Sequence, residues 1–211
     1  GNHRVTEVRA LLLTDVVDST KLSETLGDAE TAALWSAHNR RARDLLPAWR
    51  GREIGTTDGM LLLFEAAADA VGYAMGYHRA LAELTPPLKA RAGLHVGPVI
   101  LRENSNSDVA RGAKPLEVEG IAKAVAARVM SIAHGGQTLL SADARSALGE
   151  IALRVASHGH WRMKGFAEPT ELFEVGDSDA PFAPPLDAAK SYRVVRRGDI
   201  WLPVGNIRHG L

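Results

Sequence analysis

Two aspartates and a handful of cations are the residues of this 211-residue chain whose types and settings suit chemistry. Asp15 closes the apolar run Val8-Arg9-Ala10-Leu11-Leu12-Leu13-Thr14-Asp15, and Asp58 stands in the turn Gly55-Thr56-Thr57-Asp58-Gly59. Each has an ordinary explanation on its own, because a strand-end aspartate caps the next turn and Asp-Gly is a common turn pair. Three further segments change that reading: Arg91-x-Gly93-x-His95-x-Gly97, Gly120 followed by Ala126-Ala127-Arg128, and Lys164-Gly165. Arg128 interrupts an otherwise apolar helix, where a charge needs a partner. The chain has no cysteine, which excludes disulfides, a thiol nucleophile and thiolate metal sites. What remains is the chemistry of oxygen and nitrogen groups.

The scaffold that must hold these residues is an ordinary globular one, with 45% apolar and 24% charged residues. Lys plus Arg and Asp plus Glu are both 25, so no net field draws nucleic acid or anionic lipid. Aromatic residues are only 5%, too sparse for the stacking platforms of an RNA-binding module. No apolar run approaches the ~20 residues of a membrane span, and Gly1-Asn2-His3-Arg4 is no signal peptide. The expectation is a cytoplasmic protein that binds neither nucleic acid nor membrane.

Residues 8–17, apolar on both alternating faces, predict a central strand. Helical spacing over 29–49 predicts an amphipathic helix, and Glu53-Ile54 and 60–64 a hairpin around Asp58-Gly59. An Ala-rich helix over 66–84 stops before Pro86-Pro87. Two strands, 91–96 and 98–101, flank Gly97; residues 103–116 read as a polar loop; a second Ala-rich helix covers 120–133. Then come a strand at 138–140, a helix opened by Ser141, and strands near 151–156, 158–164 and 170–175. Tight antiparallel connections among alternating strands and helices predict an α/β (α+β) sandwich with a mixed sheet. From Gly176 prolines mark a linker, and 192–195 and 200–204 form a tail hairpin around Arg197-Gly198-Asp199. The expected division is a body of residues 1–176 and a linker-plus-tail of 177–211 that packs on it. His158-x-His160 would put two rings on one strand face, a weak zinc pair without further ligands in sight.

Over residues 8–175 the chain resembles the class III nucleotidyl cyclase catalytic domain. Six segments carry the resemblance in family order: 13–20 (Leu13-Thr14-Asp15-Val16-Val17-Asp18-Ser19-Thr20), Gly51-Arg52-Glu53-Ile54 leading to Asp58-Gly59, Arg91 to Gly97, Gly120 to Arg128, 135–141, and Met163-Lys164-Gly165. The resemblance implies a ferredoxin-like βααββαβ core with a largely antiparallel sheet. It also implies a reaction in which a ribose 3′-hydroxyl attacks the α-phosphorus of a nucleoside triphosphate and pyrophosphate leaves. Charge accumulates on phosphoryl oxygens, so cations are needed on both sides. The implied cofactors are two Mg²⁺ or Mn²⁺ per site, held by Asp15, Asp58 and the backbone carbonyl of Val16. The turn Asp18-Ser19-Thr20 would offer backbone N–H groups to the phosphates, with Asp18 where the family usually has Gly. Arg128 matches the arginine that stabilises the α-phosphate in the transition state; Arg91 and Lys164 match cations on the β- and γ-phosphates. His95 falls at a family strand position and reads as structural. Because the family splits each site between two subunits, a homodimer with two equivalent sites is implied, and a lone chain should be inactive.

The base-reading positions depart from the pattern. The family's adenine-reading lysine falls on Thr56 or Gly55, and no lysine occurs between Lys21 and Lys89. Its aspartate partner falls on Glu117, and the ribose-orienting asparagine falls on Ala124. Metal and phosphate chemistry is kept while base reading is rewritten. Short class III-like cyclases of bacterial antiphage systems make cyclic UMP or cyclic CMP, and this chain is expected to be similar to them in being short and without a fused sensor. The expected reaction is UTP to cyclic UMP, a second messenger for antiviral defence. Two alternatives stand beside it: an adenylate cyclase making cyclic AMP, and a non-catalytic nucleotide-binding dimerisation module. Ala124 favours the last; Asp15, Asp58 and Arg128 together favour an enzyme.

Overall fold

The structure, a computed structural model, describes residues 3–56 and 59–205. Its first strand, β1 (His3–Val16), is longer than the apolar run because its polar half is paired too: every residue faces one of β4 (Ala90–Glu103), from His3 opposite Glu103 to Val16 opposite Ala90. Between them lie α1 (Ser19–Leu26), α2 (Asp28–Asp44), a 3-10 turn (Pro47–Trp49), β2 (Arg52–Thr56), β3 (Gly59–Phe64) and α3 (Ala67–Ala82). This is the expected βααββαβ order. Gly97-Pro98 does not divide β4, contrary to the two strands expected from sequence. Pro98 falls between the stretches of β4 paired with later strands, 92–94 and 100–103, where a missing N–H removes no ladder bond on that side.

The expected loop over 103–116 instead holds α4 (Asn106–Ala110), capped by Ser105 Oγ accepting from Asp108 N at 3.1 Å. It ends where β5 (Leu116–Glu119) pairs back on β4. Then follow α5 (Ala122–Ser131), β6 (Thr138–Leu140), α6 (Ala142–Leu148), β7 (Arg154–Met163), β8 (Thr170–Gly176), β9 (Ser191–Arg197) and β10 (Ile200–Pro203). Among the described residues ten strands form one sheet in the order β10-β9-β7-β8-β6-β4-β1-β3-β2, with β5 beside β4. Its pairings are antiparallel except β4 with β6.

Alternation along β1 places apolar side chains on both faces. Ala10 and Leu12 join Met60, Leu62 and Phe64 in the core covered by α2 and α3. Leu11 joins Leu63, Val99 and Val118 beneath α5. Full burial of such side chains contributes roughly 1.5–3 kcal/mol each. A third core, around Trp161, Met163 and Leu172, packs the far end of α5 on β6, β7 and β8. The tail hairpin extends the sheet, with Val194 of β9 opposite His160 of β7. The preceding strap is tied down by Gln137 Nε2 donating to Ala183 O and Leu186 N donating to Ile132 O, both at 2.7 Å.

β7 is one strand rather than two, with a bulge between Ser157 and His160 and Gly159 at φ +82°. The bulge separates the two histidines suggested as a zinc pair. His158 Nε2 lies 2.7 Å from Glu174 Oε1, while the His160 ring packs on Trp201 at 5.0 Å. Among the described residues no three metal-ligating side chains come together. No described helix is long and apolar enough to cross a membrane.

Candidate active site

β1 is flanked by β3 and β4, so its last residues have neighbours on both sides. Asp15 lies opposite Gly59 on β3 and opposite Arg91 on β4. Its alternation with Leu11 and Leu13 puts it on the α5 face of the sheet. Arg91 Nη2 donates to Asp15 Oδ2, and Arg91 Nη1 donates to Ser131 O at 3.0 Å. Asp58 lies outside the described residues, but its successor Gly59 does not. A Cβ at Gly59 would collide with the Thr14 carbonyl oxygen and come within 3.2 Å of Asp15 Cα. The backbone entering β3 therefore crowds the end of β1, and only glycine allows that approach.

Beside Asp15 a cavity of about 460 Å³ is lined by Leu13, Ile54, Gly55, Met60, Lys114 and Lys123, among others. Ile54 is the extra residue of a β-bulge: Glu53 pairs with Leu62 and Gly55 with Leu61, which leaves Ile54 unopposed. Its side chain is buried, and its carbonyl accepts from Lys114 Nζ at 3.4 Å. Lys114 and Lys123 are the cavity residues that sequence reasoning missed. Lys114 sits in the stretch read as a loop, and Lys123 immediately precedes the ribose candidate Ala124.

The other sequence-predicted residues are placed as follows. Gly55 lines the cavity; Thr56 ends β2, and its side chain lies outside the described set. Val16 is buried at the end of β1. Asp18 precedes α1 in the left-handed region, φ 58°, and its side chain makes no capping hydrogen bond. That conformation explains why glycine suits this position. Ser19 and Thr20 open α1, whose first N–H groups have no intrahelical acceptor. Arg128 is half-buried on α5 and in no ion pair among the described residues. Ala124 and Lys164 are exposed, Lys164 in the turn after β7. In one chain β8, β6 and β4 lie between β7 and β1.

Glu117 does not line the cavity. Its neighbours Leu116 and Val118 point into the core beneath α5, so alternation sends Glu117 to the opposite face, where Arg102 Nη2 donates to it and also contacts Glu119 at 2.9 Å. His95 is structural as expected: 8% exposed, with Nδ1 2.8 Å from Ser141 Oγ, and burial holds its pKa below the ordinary histidine value.

No protein-family model and no curated protein matches this sequence. Solved structures do match. The adenylyl cyclase CyaB from P. aeruginosa superposes with a TM-score of 0.73 at 18% identity, over 86% of this chain and 100% of that one. An adenylate cyclase structure from Trypanosoma brucei, analysed in its monomeric state, gives 0.74 at 22% identity over 86% and 95%. The guanylate cyclase domain of RhGC from Catenaria anguillulae, in complex with GTP, gives 0.72 at 16% identity over 82% and 98%. The chain thus has the fold of the adenylyl and guanylyl cyclase catalytic domain.

Proposed function

We propose that the protein is a class III-type nucleotide cyclase that converts a nucleoside triphosphate to a 3′,5′-cyclic nucleotide and pyrophosphate. The observation that carries this reading is the register at the end of β1, which sets Asp15 against both Gly59, the residue after Asp58, and Arg91, on the rim of a cavity in a cyclase fold. The donor set fits Mg²⁺ or Mn²⁺: carboxylate oxygens suit these hard cations, and Asp15 already attracts a cation, Arg91. Asp15 and Asp58 would hold the ions, with the Val16 carbonyl as a further ligand. Bound there, the ions would acidify the 3′-hydroxyl and neutralise the triphosphate. Backbone N–H groups of Ser19 and Thr20 would receive phosphate oxygens at the start of α1.

Arg128 would meet the α-phosphate through its guanidinium fork. Lys164 is set apart from Asp15 by three strands within one chain, which supports a site shared between two copies. In such a homodimer the carboxylates of one protomer would face Arg128 and Lys164 of the other. UTP is the substrate we favour, because the hairpin has no lysine to read adenine and Glu117 is engaged by Arg102. A cyclic pyrimidine nucleotide would then serve as a second messenger, in antiviral defence by the resemblance to antiphage cyclases. The test is pyrophosphate release with Mn²⁺ and each of ATP, GTP, CTP and UTP. Release with UTP above the others is expected, and silence with all four would sink the enzyme reading.

A further inference from the structure

Resting on the cyclase reading, we propose that the strap of residues 183–186 is a positioning element of the site: through the Leu186 N–H it holds the turn after α5, and with it Arg91 and Arg128, in place for the triphosphate.

Carbonyls at the end of an α-helix have no intrahelical donor and must find one elsewhere. At the end of α5 four of them do. Arg128 O accepts from Ser131 Oγ at 2.6 Å, and Met130 O accepts from Ala133 N at 3.1 Å. Ser131 O accepts from Arg91 Nη1 at 3.0 Å, and Ile132 O accepts from Leu186 N at 2.7 Å. Two neighbouring carbonyls thus receive a cation proposed for the phosphates and the strap. The turn that follows α5 also clasps the backbone around Arg91. Gly136 N donates to Ala90 O at 2.8 Å and Ala92 N donates to Gln137 O at 3.0 Å, one bond on each flank of Arg91.

Four consecutive strap residues back this turn. Gln137 Nε2 donates to Ala183 O and His134 Nε2 to Pro184 O, both at 2.7 Å. Pro185 is buried, and Leu186 supplies its N–H. Gln137 is itself fixed by accepting from His134 N at 2.9 Å and by donating to the buried Glu174 at 2.7 Å. Pro184 and Pro185 restrict φ, so an extended strap loses little chain entropy on docking. The Leu186 side chain is 45% exposed, so what the residue gives the turn is its backbone. Without that N–H, Ile132 O loses its donor and the turn its outer support. Arg91 and Arg128 would then move where the phosphates need them fixed.

The experiment compares Leu186→Pro with Leu186→Ala in the full chain. Both lose the side chain, and only proline loses the N–H. Binding of inorganic triphosphate with Mn²⁺ is measured by isothermal titration calorimetry at 25 °C, and turnover by pyrophosphate release. Leu186→Ala should match wild type within about twofold. Leu186→Pro should bind inorganic triphosphate about fivefold more weakly, the worth of one hydrogen bond. Its kcat should fall further, by about tenfold or more, because Arg128 would act on the transition state. A strap that only stabilises the fold would lower the melting temperature of Leu186→Pro and leave kcat and triphosphate affinity unchanged, which overturns the proposal. An equal loss in Leu186→Ala places the effect in the side chain and also overturns it. Should Leu186→Pro not fold, His134→Ala, which loses the bond to Pro184 O, carries the same test: both losses are expected at about twofold or more, and no change overturns the proposal. Wild-type pyrophosphate release separates this from the cyclase reading. Weaker triphosphate binding in Leu186→Pro, with no release by wild type, sinks only the cyclase. Wild-type release with Leu186→Pro equal to Leu186→Ala sinks only the positioning role. Neither triphosphate binding nor release by wild type overturns both.

Discussion

The Asp15 carboxylate is gripped across the β1–β4 ladder by the Arg91 guanidinium, which also donates to Ser131 O at the end of α5. One arginine thus joins the centre of the sheet, the acidic end of β1 and the helix that carries Arg128. It neutralises Asp15, and a divalent ion held there as proposed above would compete with it. On the proposed reading, a guanidinium released in this way would turn to a phosphate, the role the resemblance implies for Arg91.

Asp15→Ala is expected to lower turnover by more than about 10³-fold while the protein stays folded. The Asp15–Arg91 pair is partly exposed, with side chains 24% and 27% accessible, so its loss should cost less than about 1 kcal/mol. Chelation of divalent ions should likewise stop turnover and leave the circular dichroism spectrum unchanged, because Arg91 already compensates Asp15. Unfolding on chelation would show instead that metal holds the fold. Turnover and thermal melts of the same samples decide.

Acid should weaken the fold through three histidines. His38, His78 and His95 are all held below the ordinary value, mainly by burial, and His78 falls to about 4 although Asp177 pulls it upward. The unfolded chain takes up protons as pH drops through about 6.5, while the folded chain does not until lower pH. Stability is therefore fully present above about 6.5 and drains as pH falls below it. For His78 the loss runs down to about 4 at up to about 1.4 kcal/mol per pH unit, with His38 and His95 acting in the same direction. His78→Asn removes the group that bonds Thr138 Oγ1 at 2.8 Å, and it should flatten the slope by one proton. Denaturant unfolding at pH 7 and pH 5 measures this; a wild-type protein more stable at pH 5 would refute it.

The strand and helices that carry Asp15 and Arg128 were legible because local pattern decides them: β1 is apolar on both faces, and α3 and α5 are Ala-rich with clear stops. What sequence hid depends on contacts between distant segments. Gly97 reads as a break between two strands, yet β1 pairs with β4 straight through it, and Pro98 falls in the gap between β6 and β5 along β4. β5 is four residues long and exists because β4 offers an edge. Glu117 falls where the resemblance implies a base-reading acid, yet the register of β5 sets it on the face opposite Leu116 and Val118. Lys114 looks like a loop cation, and a bulge sixty residues earlier in the chain gives it an acceptor.

Gly93 and Gly76 should respond oppositely to alanine. A Cβ at Gly93 would collide with Met130 N and lie 2.7 Å from Met130 Cα, so α5 rests directly on β4 there. Gly93→Ala must push the helix outward, at a cost of about 1–3 kcal/mol. It should also lower turnover below the melting temperature, since Arg128 and the Ser131 carbonyl move with the helix. Gly76 lies in α3, where a Cβ would meet Leu45 at an ordinary 3.5 Å. Gly76→Ala should therefore stabilise by about 0.5–1 kcal/mol and leave turnover unchanged. Equal effects of the two substitutions on turnover would contradict the coupling of helix position to the site.

The sharing of each site between two copies is tested by mixing two inactive variants. On the proposed reading, Asp58→Ala removes a metal carboxylate and Arg128→Ala removes the transition-state cation, so each homodimer would lack both sites. In a mixed dimer one site collects both defects, and the other pairs an intact carboxylate set with an intact arginine. With equal mixing and random pairing, half the dimers are mixed and half of their sites work, which gives about a quarter of wild-type turnover. If Asp58 and Arg128 served one site within a single chain, both variants would be dead in every dimer and no activity would return. Turnover of the mixture, with mixed dimers verified by differently tagged chains, separates the two arrangements. Restored activity would also show that Arg128, half-buried and in no ion pair among the described residues, finds its anionic partner across the interface.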